Sequence, residues 1–279
     1  MTRSVLVTGA SKGIGQATAL WMAGAGWRVF AGVRNDDDGR ALRDANSTIV
    51  PVRLDVTDEA QIADATARIA ESTGGELHGV VNNAGIAVAG PLEFLPVAEL
   101  RRQLDVNVVA QIAVTQAVLP LLRAVHGRVV FVGSIAGRSA MPFTGAYSAS
   151  KFALEALADA LRVELRPWDI HVAVIEPGVI ATPIWATSTT EADRILADAP
   201  PALRDFYGDQ MDALRRRAAH GMEGLPPRMV SEAIEHALAS NAPKTRYVIG
   251  RDARVRLWAE RVLPDRTRDR LIAWRLGKL

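Results

Sequence analysis

The sequence predicts an α/β protein in which helices cover both faces of a doubly wound parallel sheet. Short apolar runs rich in Val and Ile alternate with longer helical patterns through the first two thirds of the chain. The runs are nearly continuous, as expected for strands buried on both faces, and consecutive parallel strands need a helical crossover. A length of 279 residues is compatible with one large domain, and we expect a single domain over residues 1–279.

Each predicted strand is a short, mostly apolar run that ends in a polar or Gly-rich turn. In chain order, the predicted strands are Val5–Val7, Arg28–Val33, Thr48–Leu54, Gly79–Asn82, Arg128–Val132, His171–Ile175 and Arg246–Ile249. The carboxyl ends of parallel strands share one edge of a sheet, where open α/β sheets bind their ligands. A functional site is therefore expected along that edge.

Helical patterns separate the strands. The predicted helices are Ile14–Ala23, a helix that starts at Asp36-Asp37-Asp38, Ala60–Ala70, Val97–Leu122, Tyr147–Leu165 and Met229–Ala239. The longest uncharged apolar stretch, Val106–Leu122, contains Asn107, Gln111 and Gln116. A buried helix is therefore expected there rather than a membrane span.

The pattern changes after Pro177. The stretch from Thr182 to about Pro227 is polar, helical in tendency and broken by Pro and Gly, which predicts an excursion above the sheet. We expect residues 184–228 to form a lid over an apolar substrate pocket; the alternative is that its apolar residues pack only against each other. Those residues are Ile184, Trp185, Leu196, Leu203, Phe206, Tyr207, Met211 and Met222, with Met141 and Phe143 before the Tyr147 helix. The tail Asp252–Leu279 predicts two short amphipathic helices around Pro264.

Composition excludes several classes of function. The absence of cysteine removes disulfides, thiolate catalysis and cysteine metal sites, and it fits a reducing cytoplasm, where we expect the protein. A net charge of +2 without a dense basic run gives no nucleic-acid signature. The segment Met1–Val7 becomes polar too soon for a signal peptide. No metal is expected, because no metal-ligand spacing connects the five histidines, His78, His126, His171, His220 and His236.

A Gly-rich loop follows the first predicted strand. Its spacing is G-x-x-x-G-x-G, at Gly9, Gly13 and Gly15, where a strand turns into a helix. A backbone without side chains can approach a pyrophosphate closely, and a helix N-terminus supplies free N–H groups. The predicted phosphate contacts are Gly9, Ser11, Lys12, Gly13, Ile14 and Gly15; the alternative is a Gly-rich turn that binds nothing.

Two further turns fall at the same predicted edge. Asp55, followed by Val56, ends the third strand, and its carboxylate either accepts from an adenine amino group or caps the next helix. Asn82-Asn83-Ala84-Gly85 ends the fourth strand, and it either borders the ligand crevice or forms an ordinary turn. Asp55, Val56, Asn83, Ala84 and Gly85 are therefore candidate cofactor contacts.

Tyr147 and Lys151 carry the chemistry that the sequence predicts. They are separated by four residues on a predicted helix, so their side chains share one face. A free Tyr, with a pKa near 10, is ionised to about one part in a thousand at neutral pH. A neighbouring ammonium favours the phenolate and suits the Tyr to general acid–base catalysis. The alternative is a surface Tyr stacked along a Lys stem.

Two further polar residues, Ser134 and Asn107, argue against a surface Tyr stacked along a Lys stem. Ser134 follows the Arg128–Val132 strand, where its hydroxyl is placed to hydrogen-bond a substrate oxygen. Asn107 lies within the long apolar helix, and a buried amide needs partners. It is either a core Asn bonded to backbone or the anchor of a water in a proton path from Lys151.

Together these motifs resemble the short-chain dehydrogenase/reductase family. The resemblance rests on Thr8-Gly9 to Gly15, Asn82-Asn83-Ala84-Gly85, Asn107, Ser134, Tyr147 to Lys151 and Pro177-Gly178, over about residues 3–182. It implies one Rossmann-type domain with a seven-stranded parallel sheet. Within the family, Val29–Arg34 and Ile175–Pro183 are most similar to the branch of 17β-hydroxysteroid dehydrogenase type 1 and the retinol dehydrogenases.

The resemblance also implies roles for individual residues. Tyr147 would be the general acid/base, Ser134 the donor to the substrate oxygen, and Asn107 the anchor of a relay water. Lys151 would lower the pKa of Tyr147 and bond the nicotinamide ribose. Pro177, Gly178, Ile180 and Thr182 would form the nicotinamide side of the site.

NADP(H) is expected in preference to NAD(H). A carboxylate at the end of the second strand would repel a 2′-phosphate, but Arg34 stands at this position. Lys12 precedes Gly13 in the phosphate loop, and in the family basic residues at these two places mark NADP(H) enzymes. Asp36-Asp37-Asp38 opposes this preference unless these residues face water, as we expect.

The sequence therefore predicts an enzyme that interconverts a hydrophobic alcohol, such as a steroid or retinoid, and its carbonyl. The alternatives are a catalytically idle NADP-sensing Rossmann protein and a sugar-nucleotide epimerase that uses the same Tyr/Lys pair. Helices Val97–Leu122 and Tyr147–Leu165 are apolar on more than one face, which predicts a homodimer or homotetramer. Membrane contact by the Arg-rich tail is the less favoured possibility.

Overall fold

Seven parallel strands form one sheet in the order β3-β2-β1-β4-β5-β6-β7. The computed structural model describes residues 2–197, 199–219 and 224–276. The strands are β1 (Ser4–Val7), β2 (Arg28–Val33), β3 (Ile49–Arg53), β4 (Gly79–Asn82), β5 (Arg128–Val132), β6 (His171–Pro177) and β7 (Arg246–Ile249). All seven predicted strands are therefore present, and the α/β fold class is confirmed.

Helices cover both faces of the sheet. They are α1 (Gly13–Gly24), α2 (Asp36–Ala45), α3 (Glu59–Thr73), α4 (Val97–Leu104), α5 (Ala110–Arg123), α6 (Gly145–Glu164), α7 (Ile184–Ile195), α8 (Ala202–Ala219), α9 (Arg228–Ala239), α10 (Arg251–Val262) and α11 (Asp265–Leu276). Apolar residues of α1, α2 and α9 pack on one face, and those of α3, α5 and α6 pack on the other.

The alternation of side chains along β1 explains the two cores. Val5 and Val7 face the α1/α9 side, whereas Leu6 faces the α3/α5 side, because successive residues of a strand point to opposite faces. β1 pairs with β2 on one side and with β4 on the other. The chain leaves β1 towards β2 and β3 and then crosses back to β4 on the other side of β1, so a crevice opens at the carboxyl end of β1.

The predicted helix Val97–Leu122 is interrupted by a π-helical turn, Asp105–Val109, which no pattern in the sequence predicts. The turn contains Asn107, which is fully buried and bonded to the backbone of Ile86. A π turn widens the helix locally, and such turns occur frequently at functional sites. Among the described residues, Val97–Arg123 is the one helical stretch long and apolar enough to cross a membrane. Its inward face packs in the core.

The C-terminal third leaves the sheet and returns. α7 and α8 form the predicted excursion, which rejoins the domain through a parallel bridge between Ile180 and Leu225. α10 and α11 flank Pro264 as predicted, and 277–279 lie outside the described residues. Within α10, Val255 and Trp258 are exposed, and Asp252, Arg256 and Glu260 make polar contacts with the rest of the domain.

Candidate active site

A cleft of about 850 Å³ opens at the carboxyl edge of the sheet. Its walls come from the loop after β1, the ends of β2 to β6, the face of α6 that carries Tyr147, and the start of α7. The predicted site residues that line it are Gly9, Ser11, Lys12, Gly13, Ile14, Arg34, Asp55, Val56, Asn83, Ala84, Gly85, Ser134, Tyr147, Lys151, Pro177, Gly178, Ile180 and Thr182. Gly15 and Asn107 do not line the cleft. They contact lining residues, Gly15 through Gly9 and Asn107 through Ile86.

The phosphate loop is built for close backbone approach. Gly9 and Gly13 have φ of 62° and 60°, a left-handed conformation that favours glycine. A Cβ on Gly15 would lie 2.2 Å from the Gly9 carbonyl oxygen. The Asn83 amide holds the loop by donating to the carbonyls of Thr8 (2.9 Å) and Gly9 (3.1 Å). Asn83 therefore fixes the loop as well as lining the cleft.

The start of α1 offers hydrogen-bond donors to an anion. Among the described residues, no side chain caps its first turn, where Lys12 is the cap residue. The first N–H groups of a helix have no partner within the helix, and the dipole favours negative charge there. This cradle fits the pyrophosphate of a nicotinamide dinucleotide.

Two exposed cations stand at the adenosine end of the cleft. Lys12 and Arg34 both line it, at the phosphate loop and at the end of β2. As expected, Asp36-Asp37-Asp38 begin α2, capped by Asn35, with Asp36 and Asp37 exposed. The arrangement suits a 2′-phosphate, which receives charge-assisted bonds from such side chains.

Asp55 is not a helix cap. Asp58 caps α3 by accepting from the N–H groups of Ala60 (3.0 Å) and Gln61 (3.1 Å). Asp55 instead forms a local turn in which its Oδ1 accepts from the Thr57 N–H at 3.0 Å. With the capping alternative removed, the adenine contact stays a prediction for Asp55 and Val56, which both line the cleft.

Tyr147 and Lys151 lie together inside the domain on α6. Tyr147 is 6% and Lys151 is 4% exposed, which rules out the alternative of a surface pair. The Lys151 Nζ donates to the Val132 carbonyl at 2.8 Å and lies 5.8 Å from the centre of the Tyr147 ring. The Ser134 hydroxyl is hydrogen-bonded to the Tyr147 phenol and also accepts from the Ala136 N–H at 3.1 Å.

Burial shifts the pKa values of Lys151 and Tyr147 in opposite directions. It lowers the pKa of Lys151 to about 8, and the nearby Glu155 carboxylate opposes this shift. Burial raises the pKa of Tyr147, and the Ser134 hydrogen bond opposes that shift only in part. In the unliganded protein desolvation of the phenolate dominates the pKa of Tyr147, and the lowering of that pKa by Lys151 stays a prediction.

Asn107 is a core Asn bonded to backbone, the first of the two roles that the sequence allowed for it. Its Oδ1 accepts from the Ile86 N–H at 2.9 Å, and its Nδ2 donates to the Ile86 carbonyl at 3.0 Å and to Ser150 Oγ at 3.1 Å. A Cβ on Gly85 would lie 3.1 Å from that Oδ1, which explains the glycine. Anchoring of a relay water by Asn107 stays a prediction.

Gln103 repeats this arrangement one turn earlier, and sequence reasoning missed it. It is fully buried, accepts from the Val88 N–H at 2.7 Å and donates to the Ile86 carbonyl at 2.9 Å. The sequence signal that could have identified Gln103 is its amide side chain, which lies four residues before Asn107 on the same predicted helix.

The segment after β6 closes the other side of the cleft. Thr182 packs against Gly13, where a Cβ would lie 3.3 Å from its side chain. A Cβ on Gly178 would lie 2.5 Å from the Asp252 carboxylate, and Val179 N–H donates to the same carboxylate at 3.4 Å. The predicted nicotinamide side is therefore braced by α10, through an Asp252 contact that no sequence pattern indicates.

The predicted lid contributes to the cleft mainly through its first helix. Ile184 and Trp185 line it, and the Trp185 ring meets Tyr147 edge-on with centroids 5.5 Å apart. Leu196 and Leu203 are buried, whereas Phe206 is 61% exposed. Tyr207 packs against Phe94 and Phe143. The lid over residues 184–228 therefore stays a prediction beyond α7, and Met222 lies outside the described residues.

Charged contacts fix α7, and these residues were also missed. Arg102 of α4 pairs with Glu99 (2.7 Å) and with Glu191 of α7 (3.0 Å), and both Arg102 and Glu191 line the cleft. No metal site is evident in the part of the chain that the structure describes, since it contains no group of three His, Asp or Glu able to hold an ion. His220 lies outside the described residues.

Comparison with known proteins gives consistent relatives. The chain is 37% identical over 259 residues to 3-amino-tetrahydro-pyrrolizinone reductase of Xenorhabdus hominickii, covering 91% of this chain and 89% of that protein. It is 34% identical to retinol dehydrogenase 5 of Mus musculus, covering 98% and 89%. A short chain dehydrogenase of Burkholderia cenocepacia, solved in complex with NADP, superposes with a TM-score of 0.72 at 26% identity, covering 100% and 98%.

The retinol dehydrogenase relative confirms the predicted branch. A family model described as short chain dehydrogenase matches residues 3–193, which include the phosphate loop, Ser134, Tyr147 and Lys151. The match spans more than half of the chain and every strand of the sheet except β7. This chain therefore belongs to the short chain dehydrogenase family, and it is an oxidoreductase that uses a nicotinamide cofactor.

Proposed function

We propose that the protein is an NADP(H)-dependent oxidoreductase that interconverts a hydrophobic alcohol and its ketone or aldehyde. The observation that carries this proposal is the burial of Tyr147, Ser134 and Lys151 as one group at the edge of the cofactor cleft. Such a group supplies a proton donor, a hydrogen-bond donor and a cation to a single oxygen atom. A carbonyl reduced to an alcohol needs these three contributions.

NADPH, when bound, supplies the hydride. Tyr147 donates its phenolic proton to the substrate oxygen, which acquires negative charge as the carbonyl is reduced. Because burial raises its pKa, Tyr147 is protonated at neutral pH, the form that reduction requires. Ser134 donates a hydrogen bond to the same oxygen, and Lys151 stabilises the phenolate that remains. In the oxidative direction the Tyr147 phenolate accepts the proton of the alcohol.

The preference for NADP(H) is supported by Lys12 and Arg34. Both are exposed cations that line the adenosine end of the cleft, and their exposure leaves them free to turn towards a 2′-phosphate. The NADP complex of a similar protein is consistent with this preference. A guanidinium also stacks on adenine, which adds to the phosphate contact.

The substrate class is supported by apolar side chains in the cleft lining. Ile86, Ala87, Ile184 and Trp185 line the cleft, and they favour an apolar body attached to the reacting carbon. Trp185 touches the Tyr147 ring, so a bulky substrate contacts this Trp or displaces it. Small polar carbonyls gain little from such a wall.

NADPH oxidation with a panel of carbonyl compounds tests the proposal. We expect higher kcat/KM for lipophilic ketones and aldehydes than for small polar ones, and no comparable turnover by Tyr147→Phe. The reverse order of kcat/KM would overturn the substrate class. Tight NADPH binding without turnover of any compound would favour the idle binding protein, and interconversion of sugar-nucleotide epimers would favour an epimerase.

A further inference from the structure

Two glutamates that the mechanism does not use are buried behind the catalytic pair. Glu155 lies one helical turn after Lys151 on α6, and Glu176 lies next to the end of β6. They are 6% and 0% exposed, and the Arg246 Nε lies 3.0 Å from an oxygen of Glu155 and 3.5 Å from an oxygen of Glu176. Two carboxylates this close in a buried site repel each other strongly when both are ionised.

Each glutamate has one buried oxygen that lacks a partner within the described residues. These atoms are Glu155 Oε1 and Glu176 Oε2. A buried acceptor without a donor is destabilising, and native structures contain few such groups. One proton held between the two carboxyl groups would supply a donor that this buried cluster otherwise lacks.

The surrounding cations do not replace that proton. Arg246 of β7 lies 3.0 Å from Glu155 Oε2 and 3.5 Å from Glu176 Oε1, but it also pairs with Asp159 at 2.7 Å. Arg138, which follows β5, lies 3.4 Å from Glu176 Oε1 and is 46% exposed on its side chain. Arg246 is therefore shared among three carboxylates, and Arg138 is partly screened by water.

Lys151 is the remaining charged group that faces the two glutamates. Asp159, which pairs with Arg246, also pairs with Arg162 at the surface. The charge of Glu155 raises the pKa of Lys151, so the pair is electrostatically linked to the active site. A Cβ on Gly133 would lie 3.4 Å from Glu155 Oε1, which places the pair under the turn that leads to Ser134.

We propose that Glu155 and Glu176 share one proton and that this pair positions Lys151 and the segment after β6. The pair joins α6, which carries Tyr147 and Lys151, to the strand that continues into Pro177 and Gly178. Glu155 is thus a positioning residue that acts through its neighbours. Its positioning role rests on the proposed function, whereas the shared proton does not.

Thermal unfolding of the unliganded protein tests the shared proton. Burial and Glu176 raise the pKa of Glu155 to about 7, above the value near 4.5 of an unfolded chain. The folded state therefore holds a proton that the unfolded chain has lost, and the resulting stability disappears as pH rises from about 4.5 to 7. Glu155→Gln keeps the shape of the side chain but has no group at this position that titrates.

We expect the Tm of the wild type minus the Tm of Glu155→Gln to fall by a few degrees between about pH 4.5 and about pH 7. Above that range the difference should stay constant. Glu164→Gln, an exposed residue of the same helix, should track the wild type. A difference between wild type and Glu155→Gln that does not change with pH would overturn the shared proton.

Infrared spectroscopy of the same unliganded proteins gives an independent readout. A buried protonated carboxyl has a C=O stretching band separate from that of carboxylates. We expect the wild type to show one such band that is lost as pH rises through about 7, and we expect neither Glu155→Gln nor Glu176→Gln to show it. A band that persists in both variants would assign the proton elsewhere and overturn the pair.

Steady-state kinetics tests the positioning role. Glu155→Ala should lower kcat on the order of tenfold to a hundredfold, as small displacements of reacting groups do, with little change in the KM for NADPH. Glu155→Gln should restore most of the loss. An unchanged kcat in Glu155→Ala, with the infrared band present in the wild type, would overturn the positioning role and leave the shared proton standing.

Discussion

At the scale of single residues, burial raises the pKa of Tyr147 and lowers the pKa of Lys151. It keeps the Tyr147 phenol protonated and makes the Lys151 ammonium easier to deprotonate, because each charged form loses its hydration. At neutral pH, Tyr147 is then an acid and Lys151 is still a cation. A protonated Tyr147 is able to donate to a substrate oxygen, and the lowered pKa of Lys151 makes the charge of this residue sensitive to pH near 8.

Tyr147→Phe should lower kcat by about 10² to 10⁴, the usual contribution of general acid–base catalysis. The ring volume is kept and the proton donor is lost, so NADPH affinity should change little. Stopped-flow turnover and fluorescence titration measure the two quantities. Tyr207→Phe is a matched control, since that hydroxyl bonds Glu93 outside the cleft. Near-wild-type turnover by Tyr147→Phe would show that another group is the acid.

Reductase kcat should fall as pH rises through about 8. Lys151 is an ammonium below its lowered pKa and becomes neutral above it, so stabilisation of the Tyr147 phenolate is lost on the alkaline side. A plot of log kcat against pH checks this. Arg43→Ala removes an exposed cation of α2 that lies outside the cleft, and it should keep the same inflection. A kcat that stays constant well above pH 8 would contradict the assigned role of Lys151.

Lys12→Ala/Arg34→Ala should reverse or remove a preference for NADPH over NADH. Each cation that contacts the 2′-phosphate adds a charge-assisted hydrogen bond, which contributes about 1.5–3 kcal/mol. The measurement is kcat/KM for both cofactors in the wild type, the double variant and the control Arg43→Ala. A wild type that favours NADH, or a double variant with an unchanged preference, would refute the assignment.

At the scale of secondary-structure elements, the site depends on three helices that hold their positions by polar contacts. The π turn between α4 and α5 places Asn107 against Ile86, and α10 braces Gly178 through Asp252. The start of the lid, α7, is tied to α4 by the Arg102–Glu191 ion pair. Because such a pair is partly exposed, it can open without disturbing the core, which suits an element that admits substrate.

Glu191→Gln should raise the KM for the carbonyl substrate several-fold and leave Tm nearly unchanged. The substitution removes the ionic link between α4 and α7, and partly exposed ion pairs contribute only about 0–1 kcal/mol to stability. Glu232→Gln, which breaks the Arg228 pair on α9, is the matched control. A KM equal to that of the wild type would mean that the pair does not hold the lid.

At the scale of the whole molecule, exposed apolar side chains suggest where copies associate. Val109, at the end of the π turn, and Phe152 and Val163, on α6, are 59%, 45% and 69% exposed. Large apolar side chains at the surface of α6 need cover, and a second copy is the partner that we propose. The dimer, like a cytoplasmic location, stays a prediction.

Light scattering at micromolar concentration should give at least twice the mass of one chain. Phe152→Glu places a charge on the proposed contact and should shift the protein towards the monomer without loss of helical content. Trp258→Glu, on the exposed face of α10, should leave the mass unchanged. A wild type that has the mass of one chain at this concentration would contradict the prediction.

The sequence by itself determined the fold class, the order of the strands along the chain and about half of the residues that line the cleft. These properties depend on local patterns: apolar runs, glycines with positive φ, and the spacing of Tyr147 and Lys151 on one helix. Gly9 and Gly13 illustrate this, because the backbone conformation required by the loop favours glycine whatever surrounds it.

Only the tertiary structure decided the electrostatics of the site and the contacts that brace it. The pKa of Tyr147 depends on how deeply the ring is buried, which its spacing from Lys151 does not reveal. Glu155 meets Glu176, and Asp252 meets Gly178, across long separations in the chain. Such contacts arise when the sheet and its helices pack together, so a local sequence pattern carries no signal for them.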